Sequence, residues 1–408
     1  MSRKLKSDKV LFVATILLVG LSIVMVYSAS APVALEKYGK ASMFLIKQSM
    51  WAFIGLAMLG VVMRIDYRIY REPVFIWSCL GVVALALVAV LFSPPVNNAR
   101  RWFGIAMRID YRTYREPIFI WSCVGVVMLA LVAVLFSPPV NHARRWFGIA
   151  GFGVQPSELS KLAAIFFIAA LLERRMHRIN EIKYALAPIG LLVFALFALI
   201  IIEPDFGTSM SLVLIAAVMV FAAGLNYTYI LGVALCAVPP VALLVMGTAY
   251  RRQRVLTFLD PWRDPLGAGF QVIQSIIAVG TGGVWGKGLM NGVQKLFFLP
   301  EPHTDFIYSV ISEELGLIGA TAVLLCFAVI TWRGLRVTLR APDTFGALLA
   351  LGLTTMVAVQ ALFNISVTLG LLPTKGIPLP FVSFGGSSLL INLLGMGILL
   401  NVSQHTTA

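Results

Sequence analysis

RRQRVLTFLDPWRDPLGAGFQVIQSIIAVGTGGVWGKGLMNGVQKLFFLPEPHTDFIYSVISEELGLIG, residues 251–319, is the one long interval of this chain that mixes charge, Gly, Pro and aromatic residues. Connectors of that length without regular structure are usually functional or disordered. The Trp, Phe, Leu and Ile content here argues against disorder. The interval's last polar cluster is Glu301-Pro302-His303-Thr304-Asp305, and an apolar segment begins at Phe306, so Asp305 stands at a loop-to-helix junction. If the helix includes Asp305, then Asp305, Ser309, Ser312 and Glu313 share one of its faces. Such a polar stripe on a membrane helix points into the protein or into a wet cavity.

Working outward, the flanks are apolar almost throughout. Hydrophobic residues make up 59% of the 408 positions and charged residues 12%, and the mean hydropathy is +0.91. Those values describe a polytopic membrane protein with no separate soluble domain. About eleven stretches approach the length of a spanning helix: 10–30, 44–63, 74–92, 118–136, 159–172, 185–202, 209–224, 230–249, 306–332, 345–370 and 387–402. The expected fold is therefore all-α, a single helix bundle over 1–408, with 250–305 as a large extracytoplasmic loop.

A net charge of +14 invites a nucleic-acid reading, which the positions of the charges exclude. Arg3, Lys4, Lys6 and Lys9, then Arg174, Arg175, Arg178 and Lys183, then Arg333, Arg336 and Arg340 lie in short loops or at helix ends, which is the positive-inside pattern. A second basic set, Arg251, Arg252, Arg254 and Arg263, falls in the long loop on the opposite side and points to an anionic ligand. The four cysteines lie inside apolar stretches without CxxC spacing, and the four histidines are scattered, so neither suggests a metal centre. Residues 10–30 are apolar for too long to be a cleavable signal, so the first segment is expected to remain as a helix.

Residues 63–106 recur at 107–150 with five differences, a tandem duplication in which each copy carries one candidate span. A cytoplasmic N-terminus and a cytoplasmic Arg174 loop require an even number of crossings between them, yet five candidates lie there. The expectation is ten core transmembrane helices plus one extra helix from the duplication. The copy at 107–150 takes the native position, and 63–106 is peripheral.

Four polar clusters then fall at the outer ends of helices: Gln155-Pro156-Ser157-Glu158 with Lys161; Glu203-Pro204-Asp205; the interval ending at Asp305; and Pro373-Thr374-Lys375-Gly376 running to Ser387 and Ser388. Each has a plain structural explanation, such as Glu158 and Lys161 neutralising one another or Glu203 and Asp205 forming a solvated turn. Their convergence is what marks a site, because intramembrane charges are functional by default. The Gly run 280–288 fails the P-loop pattern, since Lys287 is followed by Gly288. No nucleotide is expected.

QPSELSKL (155–162), EPDFGTS (203–209), DPLGAGFQVIQS (264–275), FLPEPHTDFIYSVISEELGLIG (298–319) and LLPTKGIPLPFVSFGGSS (371–388), in that order, resemble the SEDS family of FtsW and RodA, nearer the FtsW branch. Phe384 stands where that family more often has Tyr. The resemblance implies a glycosyltransferase that polymerises lipid II at the outer face of the bacterial cytoplasmic membrane, with a class B penicillin-binding protein and other divisome or elongasome proteins as partners. It places the essential carboxylate at Asp305. It also implies a substrate cavity with Glu158, Lys161, Arg144, Arg145, Trp146, Asp205, His303, Lys375 and Ser387, with Arg100, Arg101 and Trp102 as the equivalent set in the first copy.

The chemistry fits those residue types. A lipid-linked diphosphate already activates the sugar, so the reaction needs a base for the acceptor hydroxyl and cations for the departing diphosphate. Asp305 is the base. Loop Arg and Lys, or a divalent cation (Mg or Mn) held by carboxylates and the diphosphate, are the two candidates for the second role. The competing function is a flippase for the same lipid-linked sugar, which inverted repeats would favour; the repeat here is direct.

Overall fold

A computed structural model describes residues 7–64, 117–135, 137, 145–149, 152–247, 249–267, 269–296, 298–374 and 376–406. The described α-helices are α1 (Lys9–Tyr38), α2 (Met43–Arg64), α3 (Pro117–Val134), α4 (Pro156–Arg175), α5 (Ala187–Ile202), α6 (Phe206–Ala222), α7 (Tyr227–Met246), α8 (Ala249–Leu259), α9 (Phe270–Thr281), α10 (Ile307–Arg340), α11 (Thr344–Thr368) and α12 (Gly386–Gln404). All but α8 and α9 fall on apolar stretches read from the sequence. The stretch at 74–92, Arg144 and Lys375 lie outside the described residues, as do Arg100, Arg101 and Trp102. Among the described residues six helices are long and apolar enough to cross a membrane by length and composition: α1, α2, α5 with the π-turn before it, α10, α11 and α12. A two-stranded antiparallel hairpin, β1 (Phe147–Ile149) and β2 (Phe152–Val154), precedes α4 and is the one small departure from an all-α reading among the described residues.

Local chemistry sets the helix ends. Asp8 caps α1, accepting from the N–H groups of Val10 and Leu11. Asp205 caps α6 and Asp343 caps α11. Each carboxylate satisfies N–H groups that a helix start leaves unpaired. α1 ends at Gly39, whose φ of 67° continues the chain in the left-handed region.

The centre of the bundle is α4, α11 and α12, buried along most of their lengths. α2 packs on α12, α10 lies between α1 and α11, and α6 fills in beside α4 and α11. The outer helices turn Leu17, Phe53, Leu191, Phe194, Leu325 and Trp332 outward. Helices apolar on both their inner and outer faces are what a bilayer requires, and the chain is a multi-pass membrane protein.

Two expectations need correction. The interval 250–305 is not an irregular loop: it contains α8 and α9, and α9 buries Val272, Ile273, Ser275 and Ala278. Nor does Asp305 lie on the helix that follows. Residues 302–306 form turns and α10 begins at Ile307, so Asp305 and Glu313 have different neighbours.

α10 itself is broken at Gly316 (φ 67°, ψ −165°). The Tyr308 hydroxyl donates to the Ala320 carbonyl at 3.2 Å. Twelve residues of straight helix would put their backbones about 18 Å apart, so the two arms fold against each other. The Gly-rich run packs backbone to backbone here, with a Cβ on Gly286 overlapping the Glu314 carbonyl. The N–H groups of the segment just after it serve internal carboxylates: Val293 and Gln294 donate to Glu313 (2.9 and 3.1 Å) and Met290 to Glu314 (3.1 Å). Lys287 pairs with Glu313 at 2.7 Å and Lys295 with Glu314 at 2.6 Å, while Ser28 of α1 donates to Glu314 at 2.6 Å.

These bonds also order the two ends of the bundle. Asp8, Arg333 and Ser403 meet at one end. Ser28 lies twenty residues along α1 from Asp8, about 30 Å of helix, so Glu314 belongs to the other end.

Candidate active site

That second end gathers all four polar clusters. Asp205 is their anchor, and its Oδ2 accepts from Gln155 Nε2 (2.8 Å), Thr208 Oγ1 (2.8 Å) and Ser157 Oγ (3.3 Å). These bonds tie the start of α4 to the turn between α5 and α6. Arg145, in the short segment leading into β1, donates Nε to the Glu203 carbonyl at 2.7 Å and Nη2 to the Pro204 carbonyl at 2.6 Å. Trp146 is half-buried, its indole over Gly153 of the hairpin.

Glu203 is buried, and neither of its carboxylate oxygens has a hydrogen-bond partner among the described residues. Burial, and then the Asp205 charge, raise its carboxyl to about 8, with Arg145 opposing.

Asp305 is held by its backbone. Asn364 of α11 donates from one amide nitrogen to the Asp305 carbonyl and to the Ile377 carbonyl, both at 2.8 Å. That single side chain joins the His303–Asp305 turn to the 371–385 loop. Gly376 lies against the carboxylate, and a Cβ there would stand 2.9 Å from Asp305 Oδ2. Gly207, two residues past Asp205, packs in turn on Ile377. The loop therefore touches both carboxylate sites.

The electrostatics join them as well. Burial raises the Asp305 carboxyl most; Glu301 and Asp205 raise it further, Arg254 and Arg145 pull it down, and it settles at about 7. Arg254 projects from α8 and donates to the Thr374 carbonyl at 2.9 Å. Of the described side chains of the second basic set, Arg254 reaches the site, while Arg252 and Arg263 are exposed.

The remaining candidates divide. Glu158 and Lys161 form a buried ion pair at 2.8 Å, one turn along α4 from the residues that bind Asp205. His303 sits between Phe44 (4.6 Å between ring centroids) and Phe384 (5.6 Å), and its carbonyl accepts from the Phe384 N–H. Burial and the Lys37 charge lower the imidazole to about 4, so it is neutral and packs as an aromatic residue. Ser387 is buried, with no partner for its hydroxyl among the described residues. Sequence reasoning passed over Asn364, and held Arg254 and Glu203 only as members of the second basic set and of the second polar cluster. Asn364 had left a signal as an amide within an apolar span.

The arrangement offers a proton acceptor near neutrality beside two guanidinium groups. That combination suits removal of a hydroxyl proton while negative charge builds on a leaving group.

A family model described as cell cycle protein, of the FtsW, RodA and SpoVE type, matches residues 8–107 and 104–408. The two matches meet where one repeat copy ends and the next begins. A probable peptidoglycan glycosyltransferase FtsW from Geobacter sp. (strain M18) is 39% identical, with 98% of this chain and 97% of that protein covered. Stage V sporulation protein E of Bacillus subtilis is 37% identical, with 99% of both chains covered. Among solved structures, a chain from work on the coordination of polymerization and crosslinking by a peptidoglycan synthase complex aligns with a TM-score of 0.69, 28% identity and 98% coverage of both chains.

Proposed function

The chain belongs to the FtsW, RodA and SpoVE family of cell cycle proteins, and from that membership we infer that it is a peptidoglycan glycosyltransferase that polymerises lipid II into glycan strands. The observation that carries this reading is Asp305, a partly buried carboxyl raised to about 7 between the Asn364 clamp and Arg254. A base with that pKa is half-ionised at neutral pH, where general-base catalysis works best.

In the proposed step Asp305 takes the proton from the acceptor sugar hydroxyl. The hydroxyl oxygen bonds to the donor's anomeric carbon, and the bond from that carbon to the lipid diphosphate breaks. Arg254 and Arg145 counter the charge that develops on the diphosphate. Glu158 and Lys161 shape the floor of the cavity, with Ser387 on the loop side.

A divalent cation, Mg²⁺ or Mn²⁺, is the other candidate to carry the diphosphate charge. The two partnerless oxygens of buried Glu203 fit the common mode in which one or two carboxylates and substrate phosphates share the ion. When bound it would supply Lewis-acid neutralisation. On this reading the site faces the outer side of the bacterial cytoplasmic membrane, and a class B penicillin-binding protein is the partner. The similarity to a chain of a peptidoglycan synthase complex supports that partner.

The test is polymerisation of purified lipid II by the protein with its partner. Wild type is expected to yield glycan chains, and Asp305→Asn, which keeps the shape but cannot accept the proton, to yield none while remaining inserted and folded. Chains from Asp305→Asn at the wild-type rate would remove Asp305 from this role. Movement of lipid II across the bilayer with no chains from wild type would make the protein a flippase.

A further inference from the structure

At the end of the bundle opposite Asp305 there is a cavity of about 270 Å³, lined by Asp8 and Lys9 at the start of α1, Arg333, Arg336 and Arg340 of α10, and Ser403 of α12. Asp8 is fully engaged. Its Oδ1 caps α1, and its Oδ2 takes Arg333 through Nε at 2.7 Å and Nη2 at 2.5 Å. One acid and one base therefore neutralise each other and stiffen the wall. Among the described residues no ion pair involves Lys9, Arg336 or Arg340, which leaves three cations facing a concave space. The chain's own neighbouring segment, Met1–Lys6, carries Arg3, Lys4 and Lys6 and has the wrong sign to fill it.

α10 presents a second stripe beside the basic one. Trp332, Leu335 and Leu339 are exposed, Leu339 by 86%. They repeat at the i, i+3, i+7 spacing of Arg333, Arg336 and Arg340, displaced by one residue, which is about 100° around the helix. The Arg333 guanidinium lies 6.0 Å from the centre of the Trp332 ring, where the stripes meet. Tryptophan is enriched in the interfacial layer where headgroups and the first carbons of the acyl chains lie. A free phosphate or an acidic protein segment would complement the cavity but would leave the apolar stripe without a role.

We propose that this cavity is a binding site for an anionic phospholipid, with the phosphate headgroup turned in among Lys9, Arg336 and Arg340 and the acyl chains lying along Trp332, Leu335 and Leu339. The site is independent of the glycosyltransferase reading, since none of these residues belongs to the Asp305 end.

The test compares wild type with Arg336→Gln/Arg340→Gln and with Arg174→Gln/Arg178→Gln, which removes two basic residues from a different loop. Each protein is extracted from bilayers of phosphatidylcholine containing a minor share of phosphatidylglycerol, and the lipids that stay bound are counted by native mass spectrometry. Wild type and the Arg174/Arg178 variant are expected to retain phosphatidylglycerol over phosphatidylcholine. The Arg336/Arg340 variant should lose that preference by roughly tenfold or more, with its melting temperature and its polymerase activity in pure phosphatidylcholine unchanged. Equal loss in both variants would reduce the site to general surface charge. Unchanged retention in Arg336→Gln/Arg340→Gln, or displacement of the lipid by millimolar inorganic phosphate, would overturn the proposal.

Discussion

Gly376→Ala puts a single methyl group against the proposed base. The new Cβ would lie 2.9 Å from Asp305 Oδ2 and 3.6 Å from Cγ and Oδ1. A relaxed carbon-oxygen contact needs about 3.4 Å, so something must move by about half an ångström. The backbone on both sides is held, because Asn364 binds the Asp305 and Ile377 carbonyls at 2.8 Å each. The carboxylate is what yields. A displacement of 1 Å in a reacting group can reduce turnover by about a hundredfold, and half of that distance by roughly tenfold. The stability loss should be about 1 kcal/mol, the low end for overpacking. Gly280→Ala, whose Cβ meets nothing within 4 Å, is the matched control. The assay is the initial rate of lipid II polymerisation by purified protein and partner, alongside thermal unfolding in the same detergent. A folded Gly376→Ala protein that polymerises at the wild-type rate refutes this reasoning, as does one whose lost activity is fully explained by a fallen melting temperature.

With Asp305 raised to about 7 and needed ionised, log kcat/KM should climb with pH up to about 7 and then level; a flat profile from mildly acidic to mildly alkaline pH would rule out that carboxyl as the titrating base. Glu203 is raised from 4.5 to about 8, so its contribution to stability is complete below the unfolded value, declines as pH rises through this window and is gone above about 8. Denaturant unfolding in detergent with a chelator present should show that decline in wild type, worth several kcal/mol, and a flatter profile in Glu203→Gln; parallel profiles would show that Glu203 is not buried in its neutral form. Glu158→Ala strands the Lys161 ammonium and should destabilise the protein by about 3–5 kcal/mol, a loss that adding Lys161→Met largely reverses. If polymerisation returns with stability, the pair serves only to neutralise itself.

Much of this architecture was legible because a spanning helix leaves a long apolar run, and those runs coincide with α1 to α7 and α10 to α12 wherever residues are described. α8 and α9 were not legible. AYRRQRVLTFL carries too much charge for a span, and the twelve residues of α9 are too few, so propensity alone could not separate them from loop. Asp205, Gln155 and Arg145 each stood out as polar residues beside apolar runs. The bond of Gln155 to Asp205, and those of Arg145 to the Glu203 and Pro204 carbonyls, join positions about fifty to sixty residues apart, which no local pattern encodes. The shared face expected for Asp305 and Glu313 failed for a similar reason, since helical periodicity cannot register that the helix begins only after Phe306.

The joint at Gly316 makes the first arm of α10 a lever whose far end runs into the turn that carries Asp305. Glu313 and Glu314, next to the fulcrum, are gripped by Ser28 and by the Lys287–Lys295 strap, so the arm cannot swing without dragging the strap along. A force applied to the exposed outer edge of that strap, at Leu289 or Val293, would be transmitted to a carboxylate it never touches.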